Sequence, residues 1–137
     1  MDERLPDDIR AFLAQPNPAV MATVAKDGRP VAVATWYLLE ADGRVLLNLD
    51  AGRVRLAHLR REPRVALDVI DAADWYTHVA LQLEVTEIVD DPELAGIDAL
   101  AVQYTGSDYS NRERPRVSVY AEIRSWMGWG RFTGQRG

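Results

Sequence analysis

The opening apolar residues fall at helical spacing: Leu5, Ile9, Phe12 and Leu13 share one face, Pro6 suits a first turn, and Asp7 and Asp8 sit where a helix dipole favours negative charge. Pro16-Asn17-Pro18 stops that helix. The period then changes to that of strands. Apolar runs at 19–25 and 31–40 flank Asp27-Gly28, which predicts a hairpin with those two residues at its tip. In the second run Val31, Val33, Tyr37 and Leu39 point one way and Ala32, Ala34, Trp36 and Leu38 the other, a strand that water covers on neither face.

Another tight turn at 41–44 leads into a strand over 45–50. A short helix follows, beginning near Gly52 with Asp50 or Gly52 as its cap, and a strand over 64–70 returns after Pro63. Residues 79–89 alternate, with Leu81, Leu83, Val85 and Val89 on one face and Gln82, Glu84 and Thr86 on the other. Asp91-Pro92 starts a helix whose Leu94, Ile97, Ala101 and Tyr104 make one stripe, capped by Gly106. Residues 116–126 form a closing strand, and 127–137 read as a C-terminal tail of a single domain, 1–137. Six strands with three helices that do not alternate with them predict a mainly β, α+β fold: a six-stranded antiparallel barrel with peripheral helices. Strands apolar on both faces need a second covering surface, which a homodimer supplies most simply.

Composition narrows the setting. Hydrophobic residues at 47% and charged residues at 27% are those of a soluble globular chain. The absence of cysteine removes disulfides, thiolate metal sites and cysteine nucleophiles together, and suits a reducing compartment. The stretch "MDERLPDDIRAFL" is acidic and has no long apolar run, so a cytoplasmic protein with no membrane partner is expected. A formal net charge of -5 argues against a nucleic-acid partner, whose footprint is a broad basic face, but leaves room for a small anion.

Against that charge, "LDAGRVRLAHLRREPRVALDV" at 49–69 gathers Arg53, Arg55, Arg60, Arg61 and Arg64. Arg60 and Arg61 fall in the last turn of the expected helix, where a cation stabilises by roughly 0.3 to 1 kcal/mol and needs no functional explanation. Arg53 and Arg55 fall in the first turn, where free N–H groups already present positive potential. Two readings offset that cost. Either a phosphate is held by the N–H donors and the forked guanidinium groups, or the arginines pair with Asp50 or Glu62.

Other motifs are weaker. "GWGRFTG" at 128–134 superficially resembles a dinucleotide loop, yet it follows the last strand and leads into no helix. His58 and Glu62 lie four apart, but only His78 remains as another histidine, so no metal site is expected. None of Ser107, Ser110, Ser118 or Ser125 has an evident local base. Asp68, Asp71 and Asp74 read as a solvated turn, and no catalytic acid or base is identified. Trp36, Tyr37, Trp75, Tyr76, Trp126 and Trp129 suit a core or an interface, and also the surroundings of a flat heteroaromatic ligand. With no catalytic side chain evident, a cofactor that brings its own chemistry is the economical enzyme reading.

The order "VMATVAKDGRPVAVATWYLLEADGRVLLNLDAGRVRLAHLRREPRVALDV" resembles the split-barrel flavin and deazaflavin proteins of the pyridoxamine 5'-phosphate oxidase superfamily. The stretch "YTGSDYSNRERPRVSVYAEIRSWMGWG" is similar to the branch whose members bind coenzyme F420. The resemblance spans about residues 5–130. It implies an FMN-binding-like, six-stranded split barrel and a homodimer with two cofactor sites at its interface. It also implies that the cofactor phosphate lies at Arg53 and Arg55, with Val54 and Leu56 beside them. Thr35, Trp36, Tyr37 and Asn48 would line the ring or ribityl region, and Trp75, Tyr76 and Thr77 the pocket mouth. Trp126 and Trp129 would reach the partner's site. Many relatives carry lysine where Arg55 stands; arginine keeps the charge and adds fork geometry, which leaves FMN beside F420 as cofactor.

The activity implied is hydride transfer from reduced F420 to an electron-poor small molecule such as an enone or quinone. Tyr37, Tyr76 or water is available as a proton source. Alternatives on the same barrel are an FMN-dependent oxidoreductase, a non-enzymatic flavin- or deazaflavin-binding protein, and a barrel whose arginines only make salt bridges.

Overall fold

The computed structural model describes residues 5–137. Helix α1 (Asp7–Leu13) starts after Pro6 and buries Ile9, Phe12 and Leu13, as their spacing requires. Strands β1 (Ala19–Val24) and β2 (Pro30–Thr35) form the expected hairpin, whose turn places Gly28 at φ +88, a conformation that costs a residue without a Cβ little. There follow β3 (Leu38–Leu39), β4 (Val45–Asp50), α2 (Val54–Arg61), β5 (Arg64–Asp71), β6 (Asp74–Asp90), α3 (Ala95–Thr105) and β7 (Arg116–Trp129), with a 3-10 turn at Gly130–Phe132. Among the described residues no helix is long and apolar enough to cross a membrane.

The run expected as one strand over 31–40 is two strands, so the sheet has seven rather than six. Their order is β2-β1-β5-β6-β7-β4-β3, with every pairing antiparallel. The two halves of the broken run are therefore the two edges of the sheet, joined only by Trp36 and Tyr37. Laid flat, seven strands at about 4.8 Å spacing would hold those edges about 29 Å apart. Three Cα steps from Thr35 to Leu38 span at most about 11 Å. The sheet must curl until its edges nearly meet, and the result is a split barrel.

Tyr37 fixes that closure. Its ring is fully buried, and its hydroxyl lies 2.7 Å from the Leu13 carbonyl and 3.1 Å from that of Gln15 as donor. It also accepts from Asn17 Nδ2 at 3.1 Å, while the same amide donates to the Phe12 carbonyl. The seam thus ties to the end of α1. Burial pushes the Tyr37 hydroxyl far above its ordinary pKa, so it stays protonated and tied to carbonyls, and it does not serve as the proton source the sequence made available.

Inside the barrel lie Met21, Val45, Leu47, Leu67, Val69, Val79, Leu81, Val119 and Ala121, with α1 closing one end. A second cluster lies outside β4, where Leu46 meets Leu94, Ile97 and Leu100 of α3, and Trp36 and Leu38 pack against them. Part of the second covering surface that the doubly apolar strands demanded is therefore supplied within the chain. On β2, Ala32 and Ala34 remain exposed.

Three local expectations change. In β6 the pairing with β7 slips between Val85 and Glu87, so Thr86 is an extra residue and the inward phase inverts. Ile88 then packs on the core and Val89 faces outward. At α2 the cap is Arg53, in extended conformation with no side-chain capping bond, rather than Asp50 or Gly52. The stretch expected as a tail folds back: β7 continues to Trp129, Phe132 packs on Phe12 with ring centres 5.2 Å apart, and Gly137 exchanges two backbone hydrogen bonds with Trp126. A Cβ at Gly128 would collide with Phe132 and one at Gly130 with Thr77, so the first two glycines of "GWGRFTG" serve packing, while Gly134, with open space around it, stands at φ +89.

Replacing Tyr37 with Phe strips the barrel seam of its hydroxyl and leaves a buried carbonyl and the Asn17 amide short of a partner. We expect a loss of about 1 to 3 kcal/mol in urea unfolding. An unchanged midpoint would show that the seam does not depend on this contact.

Candidate functional site

Where the seam meets the ends of β4 and α3, the surface opens into a cavity of about 610 Å³, within the range that suits a small organic ligand. Its lining combines three cations, Arg53, Arg55 and Arg116, with three aromatic rings, Trp36, Tyr104 and Tyr109. Pro16, Pro18, Ala19, Ala34, Thr35, Asn48, Leu49, Asp50, Ile97 and Leu100 complete it.

Arg53 is the N-cap of α2 and Arg55 its second residue, and no acidic side chain stands in the first turn. Both cations therefore sit at the positive end of the helix, an unfavourable place. The carboxylates that could relieve them are engaged elsewhere. Asp50 is clamped by Arg114, at 2.5 Å to Nε and 3.0 Å to Nη2, and accepts the Gly52 N–H at 2.9 Å. Glu62 is forked by Arg64 at 2.7 and 3.1 Å. Among the described residues none pairs with Arg53 or Arg55, which closes the ion-pair reading. Arg55 Nε is moreover buried without a hydrogen-bond partner. Burial first, and the adjacent Arg53 second, lower the pKa of Arg55. An anion held beside the two guanidinium groups offsets both the burial of Arg55 and its repulsion from Arg53.

Behind the cations lies a buried polar network. Asn48 Nδ2 donates to Asp91 Oδ2 at 3.1 Å and to Ser118 Oγ at 3.0 Å, while its Oδ1 accepts from Arg116 Nε at 2.9 Å. Asp91 also accepts the N–H groups of Gly96 and Ile97, both at 3.0 Å, and so caps α3 in place of Leu94, which stands at φ 62. A Cβ at residue 96 would run into Ser118 Oγ, so glycine is what lets the helix start press against the strand network.

The aromatic lining is anchored by α3. Trp36 stacks on Tyr104 with centroids 5.3 Å apart and planes 9° from parallel, and meets Tyr109 edge-on at 6.3 Å. Tyr104 donates its hydroxyl to the Asn17 carbonyl at 2.6 Å, and burial pushes its pKa up to about 12. It is a fixed surface rather than an acid.

Of the residues expected at the site, Thr35, Trp36, Asn48, Arg53 and Arg55 line the cavity together. Tyr37 is in the seam, Leu56 in the barrel core, and Val54 is exposed next to Arg53. Trp75, Tyr76 and Thr77 belong to the start of β6 and do not line the cavity within one chain: Trp75 and Tyr76 stack on each other with 68% and 67% of their surface exposed, and Thr77 is buried. Trp126 is buried in its own core, so it does not reach outward, whereas Trp129 is exposed and stacks on His78. His58 is buried with Nδ1 2.9 Å from Thr23 Oγ1, a satisfied core histidine. Sequence reasoning missed Arg116, Tyr109 and the Asp50–Arg114 clamp. They lie in or pair with "YSNRERPRVS", whose resemblance to the F420-binding branch named no site residue and whose end, from Arg116 on, pairs with β4.

A curled antiparallel sheet whose two edges are bridged by a pair of residues, with a cavity at the bridge, defines the split-barrel class. The chain belongs to the pyridoxamine 5'-phosphate oxidase family, whose model matches residues 5–130. No curated protein sequence matches it. Among solved structures, it is similar to an F420 reductase at 24% identity and a TM-score of 0.79, over 88% of this chain and 97% of the other. A conserved hypothetical protein from Mycobacterium tuberculosis matches at 27% identity and a TM-score of 0.72, over 94% and 84%. The General Stress Protein 26 of Bacillus anthracis matches at 14% and 0.65, over 93% and 92%.

Arg114, followed by the Gly52 N–H, holds the Asp50 carboxyl down to about 2, below its unfolded value near 4. The clamp therefore adds stability above about pH 4, and that contribution is lost as pH falls to about 2. Thermal melts across this window should fall less steeply for Asp50→Asn than for the native chain; parallel curves would show that the clamp adds nothing.

Proposed function

We propose that the chain is an F420-dependent reductase that passes a hydride from reduced F420 to an electron-poor small molecule such as an enone or quinone. The observation that carries this reading is the pair Arg53 and Arg55 at the start of α2, which no carboxylate among the described residues engages and which line a cavity shared with Trp36, Tyr104 and Tyr109. Such a cavity fits a flat ring system bearing a phosphate. The likeness to a protein described as an F420 reductase supports the choice of cofactor.

In this reading Arg53 and Arg55 grip the phosphate, while Thr35, Trp36 and Asn48 border the path toward the ring. The cofactor supplies the hydride; the chain's residues bind it, orient it and exclude water. Tyr104 is committed to the Asn17 carbonyl and is not placed as a general acid. The acceptor's proton then comes from water or from a tyrosine hydroxyl at the cavity, Tyr109 of the same chain or the partner's Tyr76.

A second copy of the chain completes the site. The outer face of β2 is apolar and exposed at Ala32 and Ala34, and the Trp75–Tyr76 pair projects from the β5–β6 hairpin. A homodimer that covers these surfaces brings Trp75 and Tyr76 of one protomer toward the cavity of its partner.

Fluorescence titration of the purified chain with F420 and with FMN tests the reading. F420 should bind more tightly, and Arg55→Ala, with an unchanged circular dichroism spectrum, should weaken it about tenfold or more, the scale of a lost charge-assisted contact. Preference for FMN would transfer the reading to an FMN-dependent oxidoreductase. Equal affinity of native chain and variant would refute the phosphate assignment.

A further inference from the structure

Arg116 opens β7 directly across from Asp50 and enters the cavity as a third guanidinium. Unlike Arg53 and Arg55, it is aimed by its neighbours. Its Nε donates to Asn48 Oδ1 at 2.9 Å, its Nη2 lies 3.4 Å from the Asn48 carbonyl, and its guanidinium carbon sits 5.0 Å from the centre of the Tyr109 ring. Asn48 cannot yield, because Asp91 and Ser118 hold its other end and Asp91 is fastened to the start of α3.

A long side chain is thus fixed on two sides, with Nη1 left unengaged by the described residues. Nor does any carboxylate among them form an ion pair with Arg116. Across the strand, Asp50 is already clamped by Arg114. Three guanidinium groups thus share the cavity lining with one carboxylate, Asp50, which feels Arg116 but whose hydrogen bonds are taken by Arg114 and the Gly52 N–H. Ordering an arginine over an aromatic ring, with its outer nitrogen free, is the arrangement by which a planar guanidinium recognises an oxyanion.

We propose that Arg116 is a specificity-determining residue that recognises a second acidic group, a carboxylate or phosphate, on the material bound in the cavity. The inference rests on the phosphate reading of Arg53 and Arg55. The second group belongs either to the same cofactor, beyond its phosphate, or to the acceptor bound beside it. The Asn48–Asp91–Ser118 network acts through Arg116 as its positioning frame.

The test uses the full chain, Arg116→Ala and Arg116→Lys, titrated by fluorescence with F420, which carries carboxylates beyond its phosphate, and with FMN, which carries none. If the cofactor supplies the group, Arg116→Ala weakens F420 about tenfold while FMN stays within about twofold, and Arg116→Lys recovers part of the loss. If the acceptor supplies it, both cofactors bind unchanged, and succinate raises the melting temperature of the FMN-loaded native chain but not of loaded Arg116→Ala. Equal weakening of F420 and FMN would make Arg116 a third arm of the phosphate site and overturn the proposal. So would unchanged binding with no response to succinate. Should the native chain bind neither cofactor, the proposed function fails by itself, and the succinate shift measured on the unloaded chain decides the role of Arg116. Arg116→Lys also serves where the alanine variant fails to fold.

Discussion

The structure depends on a bridge of two residues. Trp36 and Tyr37 alone join the edge strands of a seven-stranded sheet, and a link so short closes the sheet on itself. The residues divide the work. Tyr37 turns inward, where the carbonyls of α1 and the Asn17 amide take up its hydroxyl; Trp36 turns outward and becomes a wall of the cavity. One backbone constraint thus makes both the barrel and the place where a ligand is held. The adjacent end of β4 then delivers the arginines of α2 to the same opening.

Electrostatics gives that opening its character in an acidic chain. A formal net charge of -5 coexists with a cationic lining: Asp50, the carboxylate among the lining residues, is held by Arg114, while Glu62 and Asp98 are held by Arg64 and Arg112. The Glu62–Arg64 pair, whose arginine is exposed, contributes little to stability. The consequence of these pairs lies in what they leave over. With Asp50 and Glu62 engaged by other cations, the start of α2 keeps uncompensated charge for an incoming anion, and Arg53 and Arg55 mark where it is needed.

Much of this was legible in the sequence because local signals and tertiary demands agree there. The hairpin at Asp27-Gly28, the buried stripe of α1 and the Gly106 cap of α3 all follow from period and turn chemistry. The division of the arginines by helix position also identified the unfavourable pair. Less legible were features that depend on distant pairing. Nothing within 31–40 announces that its halves join opposite edges of a sheet, and the extra Thr86 that moves Ile88 inward shows only against β7. Arg116 and Tyr109 enter the cavity by folding back from well beyond α2, so no local pattern ties them to Arg53 and Arg55. The expectation that Trp126 reaches outward failed because the chain after it returns and covers it.

The central claim is that the start of α2 holds a phosphate between Arg53 and Arg55. A crystal structure of the chain soaked with F420 or FMN tests it most directly. The account predicts phosphate oxygens within hydrogen-bonding distance of the Arg53 and Arg55 guanidinium groups, with the ring lying against the Trp36 side of the cavity. A phosphate bound elsewhere, or an Arg55 found paired with one of the chain's own carboxylates, would contradict it.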